Sequence, residues 1–292
     1  MRLRVLGAAA GGGLPQWNCA CSNCSDARNQ LLPPATQSSV AFSLDGREWL
    51  VLNASPDIRA QLDAPVFAPP GLRGSPVKAV VVTNADVDHI AGLLSLREGT
   101  PFDLWASAET KAVLAGSPVF GVMAEGVVGR RQMALEVPFA PLPGVEVTAF
   151  AVPGKVALFL EGARGAGHRM GGQTVGLRIA GAGRVAFYIP GCAAVPEDLK
   201  ARVAGADVLL FDGTVFRDDE MAVTGTGAKT GARMGHLAMQ ASLVAWEGVG
   251  IGRKMFIHMN NTNPVWQPPS PERAAVTAAG WEVAMDGMEV PR

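Results

Sequence analysis

Val77-Lys78-Ala79-Val80-Val81-Val82-Thr83-Asn84-Ala85-Asp86-Val87-Asp88-His89-Ile90 is the stretch that decides how this chain is read. Its first six residues are apolar but for Lys78 and mostly β-branched, the pattern of a buried strand. The residues after it, Ala91-Gly92-Leu93-Leu94-Ser95-Leu96, have apolar spacing suited to a helix. Two carboxylates and an imidazole therefore crowd one strand-to-helix turn, and loops carried on a rigid sheet commonly hold a protein's chemistry. Helix capping accounts for Asp86 as an N-cap and for Asp88 as a partner of the helix dipole. It leaves His89 unexplained. An Asp followed directly by a His, with another oxygen ligand two residues back, can converge on one metal ion. This turn is therefore the expected functional centre.

The theme recurs further out. Asp207-Val208-Leu209-Leu210-Phe211-Asp212 is a second apolar run ending in a carboxylate, and Lys254 to His258 is a third, ending in an imidazole. The chain has only 4 histidines, so their placement carries information. Asp88, His89, Asp212 and His258 together offer two nitrogens and two carboxylates to one ion, a set that suits Fe(II), Mn(II) or Zn(II). The plain alternatives are a buried, hydrogen-bonded His258 and a turn-forming Asp212 before Gly213. His236 is expected in the first turn of a helix over 237–246, either hydrogen bonding into the site or on the surface. His168, among Gly, Ala and Arg, is expected on an exposed loop.

A separate signal is Cys19-x-Cys21-x-x-Cys24. Three thiolates this close can wrap one tetrahedral Zn(II), which needs one further ligand. A redox pair at Cys21 and Cys24 is the rival, but such a pair should open a helix, and these cysteines are expected in a Trp-Asn loop. Cys192 is expected as a small buried residue.

The 292 residues are 48% hydrophobic and 17% charged with a net charge of −1. That allows a large core, and no basic surplus points to nucleic acid or an anionic membrane. No run approaches the roughly 20 apolar residues of a membrane helix. Arg2 to Leu6 reads as a first strand feeding the Gly11-Gly12-Gly13 loop, too glycine-rich for a signal sequence, so a cytoplasmic protein is expected. No linker, low-complexity run or internal repeat divides the chain, and one domain over 1–292 is expected.

The remaining pattern predicts a hairpin around Asp45-Gly46, a short helix from Ser55-Pro56-Asp57, a strand over 103–106 and a helix over 108–115. Strands follow over 145–152, 156–160, 174–179 and 184–189, with a glycine-rich loop at 162–172. Helices are expected over 196–203 and 271–279, and a strand over 281–285 closes the chain. Hairpins in both halves, with strands and helices alternating, predict a two-sheet sandwich covered by helices.

At this point the residues resemble a known family. Asn84-x-Asp86-x-Asp88-His89, Asp212 and His258 resemble the metal motif of the metallo-β-lactamase superfamily with its first two histidines replaced. Within it, Gly11-Gly12-Gly13 with Pro15-Gln16-Trp17-Asn18-Cys19, Asn53-Ala54-Ser55-Pro56-Asp57, and His258-x-Asn260-Asn261-Thr262-Asn263-Pro264 resemble the coenzyme PQQ synthesis B family. The match spans essentially the whole chain. It implies an α/β fold, a four-layer αββα sandwich, with a structural Zn(II) on Cys19, Cys21 and Cys24. It also implies a part in making pyrroloquinoline quinone (PQQ).

Two activities are implied for this family. One is an Fe(II)-dependent oxygenase hydroxylating the tyrosine ring of a cross-linked Glu-Tyr precursor. The other is a carrier that helps PQQ or its precursor reach the periplasm. The wider superfamily adds a third, a metal-dependent hydrolase, which holds two metals, the first through three histidines. Here Asn84 and Asp86 occupy two of those positions. The third is expected around Pro153-Gly154-Lys155, where no histidine stands. A single metal with open positions suits O2 beside a substrate better than two-metal hydrolysis.

In that reading His89, His258 and either Asp88 or Asp212 hold Fe(II), with Zn(II) or Mn(II) as alternatives. Asp86, His236 or Asp57 would orient substrate or move protons. The implied partners are O2, a small-molecule or short-peptide PQQ precursor and PQQ itself, with no nucleic acid or membrane, and a homodimer is allowed. A related phosphodiesterase family takes its fourth zinc ligand from a His three residues after the last metal His. Asn261 stands there in this chain.

Overall fold

The computed structural model describes residues 1–164 and 167–290. Its first sheet holds β1 (Arg2–Gly7), β2 (Ser39–Ser43), β3 (Trp49–Leu52), β4 (Val77–Val81), β5 (Phe102–Ala106) and β6 (Val128–Gln132), side by side in that order. The second holds β7 (Pro138–Leu142), β8 (Val145–Ala151), β9 (Val175–Gly181), β10 (Arg184–Ile189), β11 (Val208–Asp212), β12 (Arg253–Ile257) and β13 (Trp281–Val283). A last strand, β14 (Glu289–Val290), returns to the first sheet beside β1.

Alternation along the strands builds the layers. Val40, Phe42, Leu50, Leu52, Ala79 and Val81 point into the core shared with Val147, Leu177, Tyr188 and Leu210 of the second sheet. Ala41, Trp49, Val51, Val80 and Val82 point the other way, into a separate cluster with Ile58, Leu93 and Leu114 of the outer helical segments. On the far side, Leu199, Met239, Trp246 and Val276 from helices cover the second sheet. Helix, sheet, sheet and helix make the αββα sandwich. Strands buried on both faces need no polar side, which is why Val208-Leu209-Leu210-Phe211 is an unbroken apolar run. Each fully buried Val, Leu or Phe in it contributes about 1.5–3 kcal/mol.

The two sheets repeat one pattern. β14, β1, β2 and β3 are antiparallel and β3 through β6 parallel; β7 through β10 are antiparallel and β10 through β13 parallel. β4 thus corresponds to β11, and β5 to β12. This duplication of topology has no counterpart in a sequence repeat. The site lies off the carboxyl ends of β4, β11 and β12, the edge of a parallel α/β sheet where ligands bind.

Some expected elements differ. Residues 156–160 form no strand: a loop leads to a 3-10 turn at Leu158–Leu160 and a short helix at Glu161–Arg164. Val156 and Ala157 are buried all the same, so the apolar run is a packed loop rather than a strand. The glycine-rich loop over 162–172 includes residues 165 and 166, outside those described. Ser22–Arg28 is a helix with Cys21 at its N-cap, so the Cys21-x-x-Cys24 pair does open a helix, contrary to expectation. Three strands escaped the sequence pattern. β6 ends in exposed Arg130, Arg131 and Gln132, β7 carries two prolines, and β14 has two residues; all are edge strands, whose polar residues guard a sheet edge. Among the described residues no helix is long and apolar enough to cross a membrane.

Candidate metal centre

The turn after β4 is held from behind. Asn53, at φ 60°, accepts the Thr83 N–H at 2.8 Å on Oδ1. Its Nδ2 donates to Thr83 Oγ1 and to Tyr188 Oη, the hydroxyl of the chain's single tyrosine. Asn84 Oδ1 then accepts the Asp86 N–H at 2.9 Å. Asp86 stands at the N-cap position of the helical turn Val87–Ile90, but its side chain makes no cap bond. Its carboxylate instead faces Asn84 Nδ2 at 3.1 Å and Lys155 Nζ at 3.8 Å. The capping explanation of Asp86 therefore fails.

His89 is 1% exposed. Its Nδ1 lies 2.7 Å from Asn84 Oδ1. An amide oxygen only accepts, so Nδ1 carries the proton and Nε2 presents a lone pair. That Nε2 is buried and has no hydrogen-bond partner. A lone pair left bare in the interior is costly unless it ligates something. His258, at the end of β12 with φ 63°, has Nδ1 2.9 Å from Thr214 Oγ1 and Nε2 3.0 Å from Asp88 Oδ2. His89 Nε2 lies 3.8 Å from the same Asp88 oxygen. The donor atoms of Asp88, His89 and His258 all fall within 4.8 Å of one another. Two imidazole nitrogens and a carboxylate oxygen, one of them orphaned, fit a single divalent ion.

Asp212 sits differently. It groups with His236 and His258 rather than with Asp88 and His89. Its Oδ2 accepts from the Cys192 N–H at 2.8 Å and from His236 Nδ1 at 2.7 Å; its Oδ1 accepts the Thr214 N–H and Oγ1 at 3.0 and 2.8 Å. Fully buried and fully bonded, it braces His236 and, through Thr214, His258. The sequence reading made it a ligand of the same ion as Asp88 and His89; its carboxylate instead lies within 4.8 Å of donor atoms of His236 and His258, a further group able to hold an ion. His236 reaches the cavity and stacks on His258 with ring centroids 5.3 Å apart.

Asp57 lies outside the cavity. Its carboxylate accepts the Gln37 N–H and Nε2 at 2.8 and 3.0 Å, and Gln37 Oε1 accepts the Gly12 N–H at 3.1 Å. It secures the glycine loop, whose Gly11 lines the cavity against Asp88. His168 is exposed, with Nε2 2.7 Å from the Ala232 carbonyl oxygen, and does not line the cavity either.

The cavity holds about 260 Å³ and is also lined by Asn260, from the amide-rich run after His258, and by Lys155, Lys229 and Arg233, none of which the sequence singled out for a role. Burial drives the His89 imidazole down to about 4, with the Asp88 charge opposing. Burial also works against ionising Asp88, but the charge of His89 and the bond to His258 outweigh it and hold Asp88 well below the usual carboxylate range. His258 is raised: burial favours its neutral ring, and the bond to Asp88 with the charges of Asp88, Asp212 and Asp86 overcomes that. Asp86 is raised by burial and by the Asp88 charge, with Lys155 opposing. A cation bound between Asp88 and His258 takes the place of the proton they otherwise share.

The three loop cysteines form a second cluster, with sulfurs within 4.8 Å of one another. Asn261 Nδ2 approaches all three, at 3.1 Å from Cys19, 3.5 Å from Cys21 and 3.3 Å from Cys24. The Cys21 and Gln16 N–H groups donate to Cys19 Sγ and Cys24 Sγ. This three-sulfur cup can hold a zinc ion, and a half-turn of the Asn261 amide presents Oδ1 to it. A two-cysteine redox pair would not gather Cys19 as well. Cys192 is buried elsewhere, its thiol pushed up to about 12 by burial.

The fold and the strand-end site define a class. A model of the beta-lactamase superfamily domain matches residues 48–259, and the chain belongs to that superfamily. It is 56% identical over 294 residues to coenzyme PQQ synthesis protein B of Ruegeria pomeroyi, covering 99% of each chain. It is 50% identical over 296 residues to the protein of that name from Rhizobium meliloti, covering 99% of this chain and 97% of the other. The crystal structure of Zn(2+)-bound PqqB from Methylobacterium extorquens superposes with a TM-score of 0.98 at 53% identity over 100% of both chains. The chain belongs to the coenzyme PQQ synthesis protein B family. A diphosphatase from the PhnP family shares the fold alone, at 21% identity and a TM-score of 0.71 over 99% of this chain and 97% of that one.

Proposed function

We propose that this protein acts in PQQ biosynthesis as a metal-dependent oxygenase that hydroxylates the tyrosine ring of a cross-linked Glu-Tyr precursor. The observation that carries this is the orphaned, buried Nε2 of His89 beside Asp88 and His258. Asp88, His89 and His258 would hold Fe(II), with Zn(II) or Mn(II) as competitors, in a two-histidine, one-carboxylate arrangement that leaves positions open. Bound there, Fe(II) would supply the O2-activating chemistry that side chains lack. The family relationship supports the pathway, and Asn84 and Asp86 standing in place of two histidines of a two-metal site weigh against two-metal hydrolysis.

The chain's own groups have separable tasks in this reading. Asn84 fixes the His89 tautomer. Asp212 accepts from His236 Nδ1 and leaves His236 Nε2 as the free ring nitrogen, oriented much as a carboxylate orients a catalytic imidazole. His236 Nε2 or Asp86 Oδ1 would take the phenolic proton of the bound ring. Cys19, Cys21 and Cys24 would hold a structural Zn(II) with Asn261 on the fourth side.

The test is anaerobic reconstitution with Fe(II), then O2 and a Glu-Tyr substrate, followed by mass spectrometry. One or two oxygen atoms gained on the tyrosine, and none with His258→Ala, is the expected result. An unchanged mass with substrate still bound would overturn the oxygenase in favour of a carrier.

A further inference from the structure

Asn84 and Asp86 stand where the resemblance places two ligands of a further cation, the third falls around Pro153-Gly154-Lys155, and the structure brings the Asn84, Asp86 and Lys155 side chains together. Lys155 is built into place. Its carbonyl oxygen accepts from Thr174 Oγ1 at 2.8 Å, and the adjacent Gly154 pairs with Arg169 through both main-chain groups, at 3.2 and 2.7 Å. Its aliphatic stem lies on Gly235, at φ 88°, where an added Cβ would stand 3.0 Å from Lys155 Cγ. The side chain is only 15% exposed, and it ends in the cavity 3.8 Å from Asp86 Oδ1. That is longer than a hydrogen bond. Nζ makes no hydrogen bond to any described residue, so three donors on a largely buried ammonium point at the cavity.

Asp86 balances the charge at ion-pair distance but fills none of the donors, which so far from water still call for an acceptor. The other cations of the cavity do not match it. Arg233 is committed to Glu161 by two bonds, at 3.1 and 2.7 Å, and Lys229 is exposed. We propose that Lys155 is an anion-binding residue of the substrate site, its ammonium standing where a second metal would stand and taking a carboxylate of the substrate. For the identity of that substrate the proposal rests on the PQQ-precursor reading, since PQQ and a cross-linked Glu-Tyr compound both carry several carboxylates.

The probes are PQQ and its trimethyl ester, measured by equilibrium dialysis against the metal-loaded full chain. Lys155→Met should weaken PQQ binding roughly 10–100-fold, the range for a lost charge-assisted bond. Lys155→Gln, which keeps a polar end without the charge, should lose a similar factor, and Lys229→Met much less. The ester should bind the wild type and Lys155→Met alike. PQQ binding within about twofold of wild type in Lys155→Met or in Lys155→Gln would overturn the proposal. Hydroxylation, assayed separately, keeps the two readings apart. Lys155-dependent binding without hydroxylation supports this inference and sinks only the oxygenase. Hydroxylation with KM unchanged in Lys155→Met sinks only this inference.

Discussion

Asn84→Ala tests whether the centre depends on a fixed histidine tautomer. Asn84 Oδ1 is 2.7 Å from His89 Nδ1, both residues are buried, and the next acceptor, Thr83 Oγ1, is 3.4 Å away. Losing the amide lets the ring turn or the proton move to Nε2, the atom a metal needs. Loss of such an outer partner costs about 10–100-fold in metal affinity, which is roughly 1.4–2.8 kcal/mol. Thr83 can recover part of the bond, so the lower half of that range is expected. Without metal the variant should also lose about 1–3 kcal/mol of stability, because the Nδ1–H is stranded in the interior. The assay is competition between the protein and a chromogenic chelator for Zn(II) or Mn(II), with the cysteine zinc in place, beside a denaturant titration of the metal-free chain. Affinity within about threefold of wild type, with stability lowered, would refute the tautomer argument. The amide would then be shown to hold the fold and not the metal.

Other sites make independent predictions. Burial pushes Glu220 up to about 7, although Thr262 Oγ1 and the Phe216 N–H both donate to it. Its folded pKa lies above the unfolded one, so the unfolded chain binds fewer protons between pH 4.5 and about 7 and stability falls as pH rises through that window. The fall is about 3 kcal/mol at most. Glu220→Gln should flatten it, and a wild-type-minus-variant difference constant with pH in guanidinium titrations would contradict this. Cys24→Ser should release one equivalent of zinc by elemental analysis and lower the Tm; zinc retained in full would show that the three sulfurs are not its cup. Tyr188→Phe removes an Oη bonded to Ser38 and Asn53 at 3.1 and 3.3 Å and should cost about 1–2 kcal/mol, with no measurable loss disproving a supporting role for that network.

The convergence of Asp88, His89 and His258 was legible because the first two lie in the turn after one apolar run and the third ends another, and parallel strands deliver their carboxyl ends to one edge. The second ring of residues was not. Whether Asp212 meets a metal or braces two histidines depends on where the Thr214 hydroxyl and the Cys192 N–H point, and no spacing rule encodes that. Asp57 shares a motif with Asn53, yet four positions along the chain separate a buttress behind β4 from a clamp on Gln37. Lys155 read as an absent histidine. Its burial is made by Gly235 and Thr174, distant in sequence, so composition gave no warning. The edge strands β6, β7 and β14 escaped for the opposite reason: solvent on one side removes the apolar pattern.

One loop explains why the two candidate metal clusters stand in the same chain. After β12, His258 faces Asp88, Asn260 lines the cavity, Asn261 covers the three sulfurs, Thr262 donates to Glu220, and Asn263 Nδ2 donates to the Gly213 carbonyl oxygen at 2.9 Å. Asn23, in the cysteine helix, donates to the carbonyl oxygens of Asn261 and Asn263, both at 2.9 Å. His258 holds a left-handed φ of 63°, which a non-glycine residue keeps only when its surroundings over-determine it. The cysteine helix supplies that constraint from one side and Thr214, whose Oγ1 lies 2.9 Å from His258 Nδ1, from the other. The geometry at the ends of β4 and β12 thus rests in part on a cluster that does not line the cavity.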